Sequence, residues 1–362
     1  MDMAFPGAST QLCRVSRIIA DLPTRAIVAV GHVDVANIVM LSRRTILAAT
    51  ALAPFPVLAQ TRAPAPDSFA AFVQGVKVEA RRLGIRPATL ERAFQGVQAN
   101  QKVIDLDRKQ PEFTMTWEQY RSRIVSDIRI SRGRELYARH RALLTAVSER
   151  YRVPAGPIVG IWGLESNYGQ SSGGFNVIEA LATLSWEGRR AAFFRSELFD
   201  ALKIIDAGDI PADRMIGSYA GAMGQPQFMP DSFLKFAVDW DGNGKRDLWG
   251  DLGDVFASVA NYLARSGWSE RLNWGQAVRL PPGFDASVAG RENRRTVAQW
   301  AALGVRPAGP VAPDTMAAVL LPGGAGSEAF LAFHPNFQSI RRYNPSDFYC
   351  ISVGLIGDAV TA

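Results

Sequence analysis

Apolar residues recur every three to four positions along much of the chain, the spacing of a helix with one buried face. Over residues 117–151, Tyr120, Ile124, Ile128, Leu136 and Leu143 keep that spacing. They predict a long helical stretch from Trp117 to Tyr151, broken once near Gly133. Upstream, Asp67 or Ser68 is placed to cap a helix running through Leu83 and ending at Gly84, and Pro87 opens another that closes near Gly96. Further helices are predicted at 157–167, 176–185, 190–206, 230–238, 252–266 and 346–360. Between 271 and 340 Gly and Pro become frequent, and the short apolar runs Ala317–Leu321 and Phe330–Phe333 read as strands. The expected fold is mainly α with a small β element (α+β), without internal repeats.

One apolar run does not fit that pattern. From Met40 the chain reads MLSRRTILAATALAPFPVLAQ: the pair Arg43-Arg44, an apolar stretch from Ile46 to Leu58, then small residues around Ala59. This is the order of an export signal, and its Ser-Arg-Arg core points to the twin-arginine pathway. Pro54 and Pro56 argue against a long buried helix. The stretch also falls short of the ~20 residues that cross a bilayer. The expected organisation is an upstream extension at 1–39, a signal peptide at 40–59, a linker at 60–66 and a mature unit at 67–362. No Cys follows the apolar run, so a lipid anchor is not expected. The mature protein is expected to be exported, periplasmic, soluble and monomeric.

Composition narrows the chemistry. Hydrophobic residues make up 48% of the chain, ample for a large core. The net charge is +6, which suits a polyanionic partner and equally an ordinary solubilising surface. No Lys/Arg run is long enough, or interleaved with aromatics, to argue for nucleic acid. Beyond the leader only His140 and His334 remain, a poor supply for a histidine zinc site or a Ser-His-Asp triad. Of the two cysteines, Cys13 leaves with the leader, so Cys350 has no intrachain partner.

The most informative segment runs from Pro154 to Gly169. Pro157 suits the first helical position and Gly169 the stop, and the residues between are apolar on every side, which predicts a buried helix. Glu165, in the last turn, is its one ionisable group, and Ile161 and Trp162 lie one turn earlier on the same face. Desolvation and the negative end of the helix dipole both disfavour its charged form, which is what a general acid near neutral pH requires. A structural Glu paired with an Arg accounts equally well for the burial alone. Glycosidases usually use two carboxylates, but Glu179 and Glu197 fall on amphipathic helices and Glu187 in a turn. A single acid/base suits a substrate that supplies its own nucleophile, as N-acetylmuramic acid (MurNAc) would through its N-acetyl oxygen and C6 hydroxyl.

Several ordered pieces carry a family resemblance: IVGIWGLESNYG around Glu165, IEALATLSW at 178–186, Arg189-Arg190 with Phe193-Phe194, SYAGAMGQPQFMPDSF at 218–233, SVANYL at 258–263 and RRYNPSDFY at 341–349. On these the chain resembles the lytic murein transglycosylase B family over roughly residues 67–362. The resemblance implies a lysozyme-like core at about 145–270. It also implies cleavage of the β-1,4 bond between MurNAc and N-acetylglucosamine (GlcNAc), leaving 1,6-anhydroMurNAc ends. It casts Glu165 as the catalytic residue and Ser218 and Gln227 as polar groups near the reacting sugar. Arg189 and Arg190 become a basic pair for peptide or lactyl carboxylates, and Tyr262, Tyr343 and Asn344 line the cleft. The alternatives are a hydrolytic muramidase and a non-catalytic peptidoglycan-binding protein.

Asp239, Asp241, Asn243 and Gly244 reproduce positions 1, 3, 5 and 6 of an EF-hand loop; Lys245 would offer its carbonyl and Asp247 stands at position 9. Position 12 is Gly250, not Glu. The resemblance implies a longer loop, 239–254, closed by Asp254 or, second, Asp251. A structural Ca²⁺ or Na⁺ is expected there, and no cofactor for catalysis.

Overall fold

The computed structural model describes residues 68–109 and 115–362. The upstream extension, signal peptide and linker expected from the sequence lie outside the described residues. The N-terminal part is helical: α1 (Phe69–Arg82), α2 (Pro87–Ala93), α3 (Gln101–Arg108), α4 (Trp117–Ile124), α5 (Asp127–Arg139) and α6 (Arg141–Tyr151). Ser68 caps α1, its side chain accepting from the Ala71 amide. The expected long helix over 117–151 is three helices, and its break is not at Gly133. Ser126 ends the first by capping the second, accepting from the Arg129 amide, and the chain turns again at His140. Gly133 sits inside α5 because Tyr168 and Val360 press on it: a Cβ there would lie 2.4 Å from the Tyr168 hydroxyl.

The centre follows: α7 (Ala155–Ser166), α8 (Val177–Glu187), α9 (Ala191–Ala207), α10 (Pro230–Phe236) and α11 (Leu252–Arg265), with the short antiparallel pair β1 (Phe175–Asn176) and β2 (Ile216–Gly217). Pro157 lies one turn inside α7, where its missing N–H costs nothing. The helix stops at Asn167 in a left-handed conformation, two residues before the expected Gly169.

Five antiparallel strands form the β element: β3 (Gly275–Arg279), β4 (Arg295–Thr296), β5 (Arg306–Pro307), β6 (Met316–Leu320) and β7 (Ala329–Phe333), in the order β4-β6-β7-β3-β5. The helix α12 (Val297–Ala302) packs its Trp300 into a small second core with Val319, Leu331 and Phe333. Two helices return to the main body, α13 (Asn336–Tyr343) and α14 (Asp347–Thr361). No helix among the described residues is long and apolar enough to cross a membrane.

α7 and α14 make the most extensive helix pairing, and glycines set its closeness. A Cβ on Gly160 would stand 2.3 Å from the Val353 carbonyl oxygen, and one on Gly357 2.5 Å from that of Gly156. The two backbones therefore touch, which only residues without side chains permit.

Candidate active site

Every residue of α7 from Gly156 to Ser166 is buried, as its uniformly apolar pattern predicts. Glu165 is 4% exposed at its C-terminal end. The close approach of α14 brings Tyr349 to it, and the Tyr349 hydroxyl donates to Glu165 Oε1 at 2.9 Å. Sequence reasoning passed over Tyr349, although the RRYNPSDFY motif contains it. Nothing in a one-dimensional pattern says that a helix 184 positions later lies against Glu165.

After α7 the chain makes three left-handed residues in succession, Asn167, Tyr168 and Gly169. This reversal carries it under the loop that follows β2. There the Ser218 amide donates to the Ala222 carbonyl at 2.8 Å, and Met223 and Phe228 exchange backbone bonds. A Cβ on Gly173 would strike the Gly217 carbonyl at 2.0 Å, so the segment after Glu165 and the loop meet backbone to backbone. Trp162 Nε1 donates to Gln225 Oε1 at 2.7 Å, pinning the loop to α7 as well.

Ser218 and Gln227 both lie in this loop and are nearly buried. Ser218 Oγ accepts from the Ala220 and Ala222 amides, which leaves its O–H as a donor. Gln227 spends its Nε2 on the Ser172 and Gly224 carbonyls, both at 2.8 Å, which fixes the amide orientation and leaves Oε1 as an acceptor.

Three more of the expected site residues, Tyr262, Tyr343 and Asn344, are buried. Tyr262 is 1% and Tyr343 0% exposed, and their rings pack on each other at 4.7 Å and on Phe228. Their hydroxyls donate to the Arg342 and Pro226 carbonyls. With Phe228 they form a wall behind the loop. Asn344 is fully buried and accepts from the Ser346 amide at the start of α14.

Arg189 and Arg190 have a partner that the sequence did not reveal. Both donate to the carboxylate of Asp107, which α3 delivers into the interior. Their counter-charge is thus within the protein; the pattern missed α3 and with it this partner. Arg189 is half-exposed, while Arg190 lies over the Phe194 ring at 4.8 Å. Burial draws the Arg190 guanidinium below its ordinary pKa, with Asp107 opposing. Glu197, expected on a solvated face, is buried and caps α10 by accepting from the Asp231 amide.

The loop after α10 and the first turn of α11 bring the carboxylates of Asp239, Asp241 and Asp254 within 4.8 Å of one another. Asp239 accepts from the Gly242, Asn243 and Gly244 amides, and Asn243 Oδ1 from the Lys245 amide. Asp254 accepts from the Trp240 and Asp247 amides; its carboxyl is pushed up to about 6, first by burial, then by the charges of Asp251 and Asp239. Three converging carboxylates, one held costly and buried, fit a hard cation with oxygen ligands. Asp251, the second choice for closing the loop, instead caps α11. Asp247 turns to the Trp249 and Gly250 amides.

A buried carboxyl at the end of an apolar helix, beneath a glycine-rich loop in a helical body with a small sheet, is the arrangement of a lysozyme-like glycan-cleaving enzyme. Residues 68–358 match the transglycosylase SLT domain family, and the chain belongs to it. It is 36% identical to membrane-bound lytic murein transglycosylase B of Escherichia coli strain K12 over 252 residues, 67% of each chain. Its fold is similar to that of SltB3 from Pseudomonas aeruginosa, solved in complex with NAG-anhNAM-pentapeptide. There the TM-score is 0.79 and identity 44%, covering 82% of this chain and 80% of that one. Escherichia coli Slt35 in complex with calcium gives a TM-score of 0.69 at 31% identity, with 80% and 92% covered. The protein is a lytic murein transglycosylase, an enzyme that cleaves the glycan strands of peptidoglycan.

Proposed function

We propose that Glu165 is the single acid/base of this enzyme and that it cuts the MurNAc–GlcNAc β-1,4 bond without consuming water. The observation that carries this is the Tyr349–Glu165 hydrogen bond at the end of a wholly buried helix, which holds one carboxyl in a fixed orientation. Glu165 first gives its proton to the departing glycosidic oxygen while the N-acetyl oxygen of MurNAc bonds to C1. The resulting carboxylate then takes the proton of the C6 hydroxyl, whose oxygen displaces the N-acetyl oxygen at C1. The proton returns to Glu165, and the product ends in a 1,6-anhydro ring.

An acetamido group offers one carbonyl and one N–H. Ser218 presents an O–H donor and Gln227 an Oε1 acceptor, a complementary pair. Arg189, with half its side chain exposed beside Asp107, keeps surface for a stem carboxylate. Asp239, Asp241, Asp254, Asn243 and the Lys245 carbonyl would hold Ca²⁺ or Na⁺ as a brace for the loop, outside the chemistry. The enzyme works as a monomer in the periplasm.

Mass spectrometry of the fragments released from purified sacculi tests the reaction. Anhydro ends are expected throughout. Reducing ends, heavier by one water, would make the enzyme a hydrolytic muramidase.

A further inference from the structure

A cavity of about 470 Å³ opens between α13 and the faces of β6 and β7. Its floor is apolar: Ala318 and Ala332 face each other across the strand pair, and Phe337 of α13 closes the side. The depth exists because two methyl groups stand where larger side chains would fill it. On α13, Phe337 and Arg341 point to this cavity, whereas Asn336, Ile340 and Tyr343 occupy the opposite, buried face. The helix thus separates the cavity from the wall that Tyr343 builds behind the Ser218–Phe228 loop.

The rim is basic, and its charges are unequally matched. Arg341 and Arg291 both bond to Asp347, and Arg291 also reaches Glu292 at 3.1 Å. Arg294 makes no hydrogen bond or ion pair within the described residues. His334 bonds through its backbone amide to Met316, while its ring remains at the cavity. Burial, with Arg294 and Arg342 adding to it, lowers the His334 pKa. One uncompensated guanidinium beside a methyl-lined floor selects a ligand with a carboxylate joined to small apolar groups. A phosphate would leave the floor uncovered.

We propose that this cavity is a second binding site, apart from the cleft at Glu165, for the carboxylate end of an alanine-terminated peptidoglycan stem peptide. The proposal rests on the reading of peptidoglycan as substrate. Arg294 takes the terminal carboxylate, and the alanine methyls lie on Ala318, Ala332 and Phe337. Holding a stem here tethers the enzyme to the wall and raises the local concentration of glycan at the cleft.

Calorimetric titration of the full-length Glu165→Gln protein with a free, alanine-terminated stem pentapeptide tests the site. The peptide should bind, and binding should weaken at least tenfold in an added Arg294→Ala background and with the C-terminal amide of the same peptide. Because Arg294 has no bonds to lose, its melting temperature should not change, which separates lost binding from lost folding. Absence of binding, equal binding with Arg294→Ala, or equal binding of the amide would overturn the proposal. So would displacement of the peptide by an equal concentration of inorganic phosphate, which would mark a simple anion site. Cleavage of peptide-free glycan strands by the wild type, scored separately, tests the catalytic reading; its failure leaves the titration interpretable.

Discussion

Replacing Gly160 by Ala adds one methyl group at the crossing of α7 and α14. That methyl would stand 2.3 Å from the Val353 carbonyl oxygen and 3.1 Å from its carbon. Backbone cannot swing aside as a side chain does, so α14 must retreat by about 1 Å to restore ordinary contact. Val353 lies one turn from Tyr349 on the same face of α14. The retreat therefore stretches the 2.9 Å Tyr349–Glu165 bond beyond hydrogen-bonding distance. Overpacking of this kind costs about 1–3 kcal/mol of stability. The misplaced carboxyl costs more in rate, on the order of 10²-fold. Calorimetry and turnover on sacculi would be measured together: the variant should melt a few degrees lower yet be folded at the assay temperature, with kcat reduced far more than KM. Wild-type melting and wild-type turnover would refute the idea that glycine contact between these helices sets the site.

A matched control is Gly75→Ala in α1, where an added Cβ meets nothing within 4 Å; it should gain about 0.5–1 kcal/mol in denaturant unfolding, and a loss would contradict the packing described. Tyr349→Phe keeps the ring but removes the donor to Glu165. As Glu165 gives up its proton the bond becomes one to a charged group, worth roughly 1.5 kcal/mol or more, so kcat should fall about tenfold with little change in melting temperature. Calcium at ~100 times its dissociation constant should stabilise the wild type by about 2.7 kcal/mol, and Asp241→Asn should abolish that gain in thermal denaturation. A gain of equal size in the variant would remove Asp241 from the cation site.

The legible parts of the fold were those with local causes. The apolar wrap of α7 marked a buried helix, Asp67 and Ser68 marked a cap that Ser68 fills, and the runs near 317 and 330 marked strands within a residue of their bounds. The errors arose where a distant partner overrides local pattern. Gly133 looked like a break but is the residue that lets Tyr168 approach α5. Glu197 looked solvated because its helix is amphipathic, yet its carboxylate caps α10, an element 34 residues later. Tyr262 and Tyr343 belonged to recognisable motifs, but aromatic spacing does not reveal that their rings pack on each other and on Phe228. Arg189 and Arg190 were visible as a pair, but Asp107 lay in α3, an eight-residue helix that the pattern reading passed over. Glu165 needed no distant partner to be noticed, since it is the one charge on an otherwise apolar helix.

Glu165→Gln preserves size and the capacity to accept the Tyr349 hydrogen bond while removing the transferable proton. Incubated with purified sacculi, and verified as folded by its melting curve, this variant should release no soluble muropeptides where the wild type does. Release at the wild-type rate would show that the bond is broken by some other group, and the account of this site would be wrong.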